Sequence, residues 1–215
     1  MLTSSRSFPI IDNTDVLPSW LQWKLAIDLD CTIADTHKAM IEQLLKANNP
    51  EWLTKEIYRR TYPEPYNLPS YHRTDDMEAM LNRLFYDNDW QKTLPPMENA
   101  SNILGQISNY VWLYLSARPS CVAEWSREWL MKNNFPSAPI IFRPEGIKDT
   151  TQWKAQILVK LWMGIIDDHP NLWAALEEAG FEGVHIRIWE IPSHTHRYIA
   201  HWGELLPKYW DLFPS

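Results

Sequence analysis

Cysteine is nearly absent: Cys31 and Cys121 are the only two in 215 residues. That excludes a disulfide framework and a four-thiolate zinc site, and it fits a reducing compartment. Lysine and arginine never occur more than two in a row, and the net charge is -7, so the basic footprint of a duplex nucleic-acid binder is missing. A small anionic partner stays open, since one lysine and a metal ion reverse the field locally. Long apolar runs are missing as well. No window approaches the ~18 uninterrupted apolar residues of a membrane span, and the N-terminal MLTSSRSFPIIDNTDVLPS holds no apolar core of signal-peptide length. The expectation is a soluble, cytoplasmic protein without a membrane partner.

What the sequence does have is 13 tryptophans and 16 prolines, and aromatic excess of this kind belongs first to core packing. The length suits one core domain carrying an insertion. Short apolar runs recur: KLAIDL, YVWLYLS, APIIF, MGIIDD and GVHIRIW. Each is rich in branched and aromatic residues, as strands buried on both faces are. Helical segments separate the later ones: CVAEWSREWLMKNN with Ser120 as N-cap, TTQWKAQILVKLW starting at Thr150 or Thr151, and NLWAALEEA stopped by Gly180. This alternation predicts an α/β fold with a doubly wound, mostly parallel sheet. Between Asp35 and Asn109 no strand is evident, so residues 36–95 read as a helical subdomain inserted after the first strand. Residues 1–35 and 96–215 make the core, and ENASNILGQISN is the helix that returns to it. The C-terminal SHTHRYIAHWGELLPKYWDLFPS reads as helical.

In such sheets ligands bind beyond the carboxyl ends of the strands. Asp28 and Asp30 finish the first run, Ser116 the second, Asp167 and Asp168 the fourth. If the four carboxylates converge, their repulsion costs several kcal/mol unless a hard cation neutralises it. Mg2+ suits an all-oxygen set.

These runs resemble motifs of the haloacid dehalogenase superfamily. LAIDLDCTIAD is similar to its first motif, a strand ending in DxDx(T/V); VWLYLSARP to the second, ending in Ser or Thr; GIIDDHP to the fourth, ending in paired acids. The third-motif lysine is then Lys154 in TTQWKAQIL, with Lys148 as the alternative and Lys160 further along. The helical insertion resembles the cap of many members, in a layout similar to 5'(3')-deoxyribonucleotidases. The resemblance implies a phosphatase acting on a small phosphorylated substrate, with a nucleoside monophosphate as one candidate. In it Asp28 is the nucleophile and Asp30 the general acid and base. Mg2+ is held by Asp28, the backbone carbonyl of Asp30 and Asp167, with Asp168 acting through water or orienting those ligands. Ser116 and Lys154 bind the phosphoryl oxygens. Asp30 favours a phosphate ester over a halide. Polynucleotide 3'-phosphatase activity and a non-catalytic binding role are the alternatives, the first opposed by the acidic charge.

Other residues carry weaker expectations. Cys31 stands where many members have Gly and reads as a small wall residue. Arg118 reaches either a substrate anion or the adjacent loop, and His169 bonds a carboxylate. His194, His196 and His201 read as surface residues. The aromatic residues Trp52, Tyr58, Tyr62, Tyr66, Tyr71, Phe85, Tyr86 and Trp90 pack the insertion or stack a base; Tyr62, Tyr66 and Tyr71 are the best ligand candidates.

Overall fold

The computed structural model describes residues 24–48, 83, 85–188 and 197–213. Strands β1 (Leu25–Ile27), β2 (Val111–Pro119), β3 (Ile140–Arg143), β4 (Gly164–Asp167) and β5 (His185–Ile188) form where the apolar runs place them. A sixth, β6 (Arg197–Ile199), completes one all-parallel sheet in the order β3-β2-β1-β4-β5-β6. The helical reading of the C-terminus is corrected here. Its first described residues pair with β5, and among its described residues only Leu205–Tyr209 is α-helical, between two short 3-10 turns. A three-residue edge strand with an exposed first residue is too short to show a period of two.

The central strands are covered on both faces, which explains their unbroken apolar character. Leu25 and Ile27 of β1, with Tyr114, Ile140, Phe142 and Ile166, belong to one core layer. Ala26, Leu113, Leu115, Ile141 and Ile165 belong to the other. Several tryptophans pack the core: Trp129 stacks on Phe135 with centroids 5.2 Å apart, and Trp202, which opens a C-terminal turn, is buried, whereas Trp162 and Trp210 are exposed.

Helix starts differ in detail. Ser120 does not cap; it opens a 3-10 turn that leads into the helix Ala123–Lys132. Thr150–Leu161 is capped by Asp149, whose carboxylate accepts from the Thr151 and Gln152 N–H groups. Leu172–Glu178 ends before Gly180, whose φ of 71° is the left-handed value that glycine adopts without cost.

After β1 the chain turns through Asp28–Asp35 and enters the helix Thr36–Asn48. It returns alongside its exit: Ala34 bridges Pro96, the Asp35 N–H donates to the Pro95 carbonyl at 2.8 Å, and the Met97 N–H to that of Ile33 at 2.8 Å. The two ends of the expected insertion are therefore tied together. Its last helix, Asn88–Thr93, packs on the core: the Trp129 indole N–H donates to the Leu94 carbonyl at 2.7 Å, and Trp90 is buried. The return helix Ala100–Gln106 forms as expected. Trp52, Tyr58, Tyr62, Tyr66, Tyr71, His194 and His196 lie outside the described residues.

Candidate active site

Strand order reverses between β1 and β4, since the chain builds outward through β2 and β3 on one side and through β5 and β6 on the other. The crevice where α/β sheets take ligands lies at the carboxyl ends of those two strands. Asp28 follows β1, its N–H bonded to the Ile166 carbonyl of β4 at 3.0 Å. Asp167 ends β4 and Asp168 follows it. One carboxylate oxygen from each of Asp28, Asp167 and Asp168 lies within 4.8 Å of the other two, and all three residues are buried.

Lys154 stands between two of them. Its ammonium is 2.8 Å from Asp28 Oδ1 and 2.7 Å from Asp167 Oδ2, and the side chain is buried. It comes from the helix that leads into β4. Lys148 is exposed in the preceding loop and Lys160 is exposed on the same helix, so Lys154 is the lysine that reaches the carboxylates. The Thr32 hydroxyl donates to Asp168 Oδ1 at 3.1 Å and lies 3.4 Å from Asp28 Oδ2. Thr32 is held in turn through its carbonyl, which accepts the Trp202 indole N–H at 2.7 Å.

The Asp30 carboxylate turns to another partner. Arg118 donates to it twice, Nε to Oδ2 and Nη2 to Oδ1, both at 2.8 Å, and Thr36 donates to Oδ1 at 2.6 Å. The third Arg118 contact is Nη1 to Ser126 Oγ at 3.0 Å, and the guanidinium is fully buried. Arg118 thus faces neither open solvent nor the adjacent loop; it fixes Asp30. Ser116 is buried at the end of the regular β2 register, and its hydroxyl oxygen accepts from the Arg118 N–H at 3.1 Å. The His169 N–H donates to Asp167 Oδ1 at 2.7 Å, while its ring Nδ1 accepts from the Asn171 N–H.

Charge and burial compete throughout. Burial pushes the Asp28 carboxyl up to about 7; Lys154 opposes the shift, and Asp167 and Asp30 add to it. Burial, Asp167 and Asp28 raise Asp168 well above the carboxylate range. For Asp30 burial is overcome by the Arg118 charge and hydrogen bonds and by Thr36, so its pKa is lowered. For Asp167 burial is overcome by Lys154 and the His169 N–H, again a lowering. Burial and the carboxylates of Asp168, Asp30 and Asp28 push the Cys31 thiol well up, so it stays protonated and unreactive. Cys31 also has φ 58°, a left-handed value that costs a residue with a Cβ roughly 1–2 kcal/mol. That is the physical reason for glycine to be favoured there.

A cavity of about 280 Å³ opens over this cluster. Asp28, Asp30, Lys154 and Asp168 line it, with Arg143 and Tyr86 among the residues of its walls. A larger cavity of about 550 Å³ lies at the other end of the sheet, against Leu25 and Gly164, the first residues of β1 and β4, and holds none of these carboxylates.

Solved structures share this architecture. A HAD family hydrolase from Deinococcus radiodurans R1, with bound phosphate and sodium, superposes with a TM-score of 0.55 at 14% identity, over 88% of this chain and 96% of that one. A haloacid dehalogenase-like hydrolase from Streptococcus pneumoniae gives 0.56 at 15%, over 87% and 98%. A HAD-superfamily hydrolase of subfamily IA from Geobacter sulfurreducens gives 0.51 at 12%, over 87% and 96%. The fold is that of the haloacid dehalogenase superfamily. A family model described as PITM 1-3, LNS2 domain, matches residues 101–166, less than a third of the chain. No curated protein matches in sequence.

Within the haloacid dehalogenase fold, the expected residues Asp28, Lys154, Asp167 and Asp168 come together, and Asp30 lies beside them on its own cation. Thr36 and Arg143 were not singled out from the sequence, and Thr32 entered only as the last position of the DxDx(T/V) motif. The two threonines carried a signal in their spacing of four and six residues from Asp28 and Asp30. Arg143 carried none beyond ending an apolar run.

A cation fits the cluster on its own evidence. Asp168 Oδ2 is buried without a hydrogen-bond partner, and a charged oxygen in that position is costly unless something positive meets it. Asp28, Asp167 and Asp168 would hold the ion. Stability should follow. The folded Asp28 and Asp168 keep protons that the unfolded chain has released, so the native state binds more protons, and stability falls as pH rises from 3.8 to about 7. Asp30 and Asp167 act oppositely only as pH falls below that window, whereas His37, lowered by burial to about 4, and His169, also lowered by burial, oppose the carboxyls within it. Urea midpoints measured with EDTA, taken as wild type minus Asp28→Asn so that the histidine contributions cancel, should therefore fall from pH 4 to pH 7. Millimolar Mg2+, which binds the deprotonated carboxylates, should flatten the slope. An EDTA difference profile that rises over this window would contradict the assignment.

Proposed function

We propose that the protein is a Mg2+-dependent phosphomonoester hydrolase that works through an aspartyl-phosphate on a small phosphorylated metabolite, a nucleoside monophosphate being one candidate. The observation that supports it is the buried carboxylate cluster around Lys154, at the switch point of the sheet and open to a cavity of small-molecule size. The bound phosphate of the Deinococcus protein supports it by analogy of fold.

Asp28 attacks phosphorus, its charge maintained next to Lys154, and the ester oxygen leaves. Lys154 and Ser116 take the charge that gathers on the equatorial phosphoryl oxygens. Mg2+, when bound, neutralises repulsion between carboxylates and phosphate. In the hydrolytic half, Asp30 accepts a proton from the attacking water, a role that suits a carboxylate held anionic by Arg118 and Thr36. To protonate the leaving oxygen first, Asp30 must release Arg118, take up a proton from solvent and pass it to the ester oxygen. The insertion read from the sequence, residues 36–95, would serve as the cap, and Tyr86 within it lines the cavity.

Phosphate release from 4-nitrophenyl phosphate tests the reading. Turnover should require Mg2+, vanish in EDTA and return when Mg2+ is restored. No turnover across a panel of phosphomonoesters, with Mg2+ binding intact, would favour a non-catalytic role. Preference for a 3'-phosphorylated oligonucleotide that weakens steeply with salt would favour the polynucleotide reading.

A further inference from the structure

The cavity wall carries a cation that this reaction does not use. Arg143 ends β3 and is partly buried. Its Nε donates to the Ala117 carbonyl at 3.0 Å and its Nη1 to the Ile147 carbonyl at 2.8 Å. Those two bonds fix the plane of the guanidinium, yet both acceptors are neutral. The other two cations at the site are matched by carboxylates, Arg118 by Asp30 and Lys154 by Asp28 and Asp167. Arg143 has no carboxylate partner among the described residues, and Asp149, the acid at the start of the next helix, is engaged by Thr151 and Gln152.

A guanidinium has five N–H donors in a rigid fork suited to carboxylate and phosphate. Arg143 spends two on backbone oxygens and faces the cavity with charge to spare. The placement also sets a distance. β3 is two strands from β1, about 10 Å across the sheet, and the guanidinium reaches back to Ala117 of β2, so an anion at Arg143 lies roughly one to two strand spacings from the phosphoryl group at Asp28, within reach of one small molecule. Thr150 and Thr151 line the cavity too and add hydroxyls.

We propose that the substrate carries a second anionic group, a carboxylate or another phosphate, and that Arg143 binds it roughly one to two strand spacings from the attacked phosphorus. This rests on the phosphatase reading and narrows its substrate class to bis-anionic phosphomonoesters.

Two matched pairs of compounds read the subsite. 4-Carboxyphenyl phosphate and 4-carbamoylphenyl phosphate have the same shape and differ in one remote charge. Thymidine 3',5'-bisphosphate and thymidine 3'-monophosphate do the same for phosphate, so the pairs distinguish the two sources of the anion. In the wild type, kcat/KM should favour the charged member by at least about tenfold in one pair, the scale of a charge-assisted hydrogen bond. In Arg143→Met that ratio should collapse towards one, and in Arg143→Lys it should be partly kept. Lys132→Met, which removes a charge from an exposed helix position elsewhere, should leave the ratio as it was. A wild-type ratio near one in both pairs, or a ratio that survives Arg143→Met, overturns the subsite. The same four compounds are also titrated calorimetrically into Asp28→Asn protein, with and without Arg143→Met. This arm needs no turnover. Equal affinities there reject the subsite even if the protein hydrolyses nothing, whereas absence of turnover with a charge preference in binding rejects only the phosphatase reading.

Discussion

Asp28→Asn should abolish phosphate release, lowering kcat by at least about 10^4-fold, the scale on which removing a nucleophile acts. The amide has the shape of the carboxylate, and its oxygen still accepts from Lys154, whose ammonium lies 2.8 Å from Asp28 Oδ1. What is lost is the anion that attacks. Stability should move the other way. The Asp28 carboxyl is held up to about 7 by burial and neighbouring acids, so at neutral pH its charge opposes folding of the metal-free protein, and the neutral amide relieves this. The variant should melt higher than wild type in EDTA and gain less from Mg2+. Phosphate release and thermal melts with and without Mg2+ check both halves. Turnover within tenfold of wild type would place the nucleophile elsewhere; a lower melting point in EDTA would contradict the electrostatic account.

The sheet was legible because buried parallel strands have nothing polar to hide. Each of the five apolar runs holds a strand, and the acids at their ends stand at the crevice, where Lys154 and Arg118 meet much of their charge. β6 escaped because three residues starting with an exposed Arg197 look like any loop. That Asn88–Thr93 packs on the core was not legible, because helical periodicity does not say which partner a helix faces; the bond from Trp129 to Leu94 does. The same limit applies within the site. Arg118 and Asp30 are 88 positions apart, and no local pattern announces that SARP will clamp DLD. Trp202 lies 170 positions from Thr32, which it steadies. Strand ends could be read one by one; which of them neutralises which depended on strand order.

Lys154→Met should cost the fold about 3–5 kcal/mol, because breaking a buried pair leaves charge uncompensated. Here two carboxylates are left, since the ammonium bonds Asp28 and Asp167 at 2.8 and 2.7 Å. For a chain of this length that is roughly 10 °C in Tm. The loss should shrink on acidification to pH 5, where Asp28 is protonated, and in Mg2+, which supplies the missing positive charge. A cavity or packing defect would respond to neither. Activity should fall by about 10^2–10^3-fold even where the fold is restored, as when one stabiliser of developing charge is removed. Lys148→Met is the control. That side chain is exposed in the loop before the helix, so its removal should change stability by no more than about 0.5 kcal/mol and leave turnover near wild type. Thermal melts at pH 5 and 7, with EDTA or Mg2+, and phosphate-release assays on both variants decide the matter. If Lys148→Met abolishes turnover and Lys154→Met does not, Lys154 serves only to hold the carboxylates together.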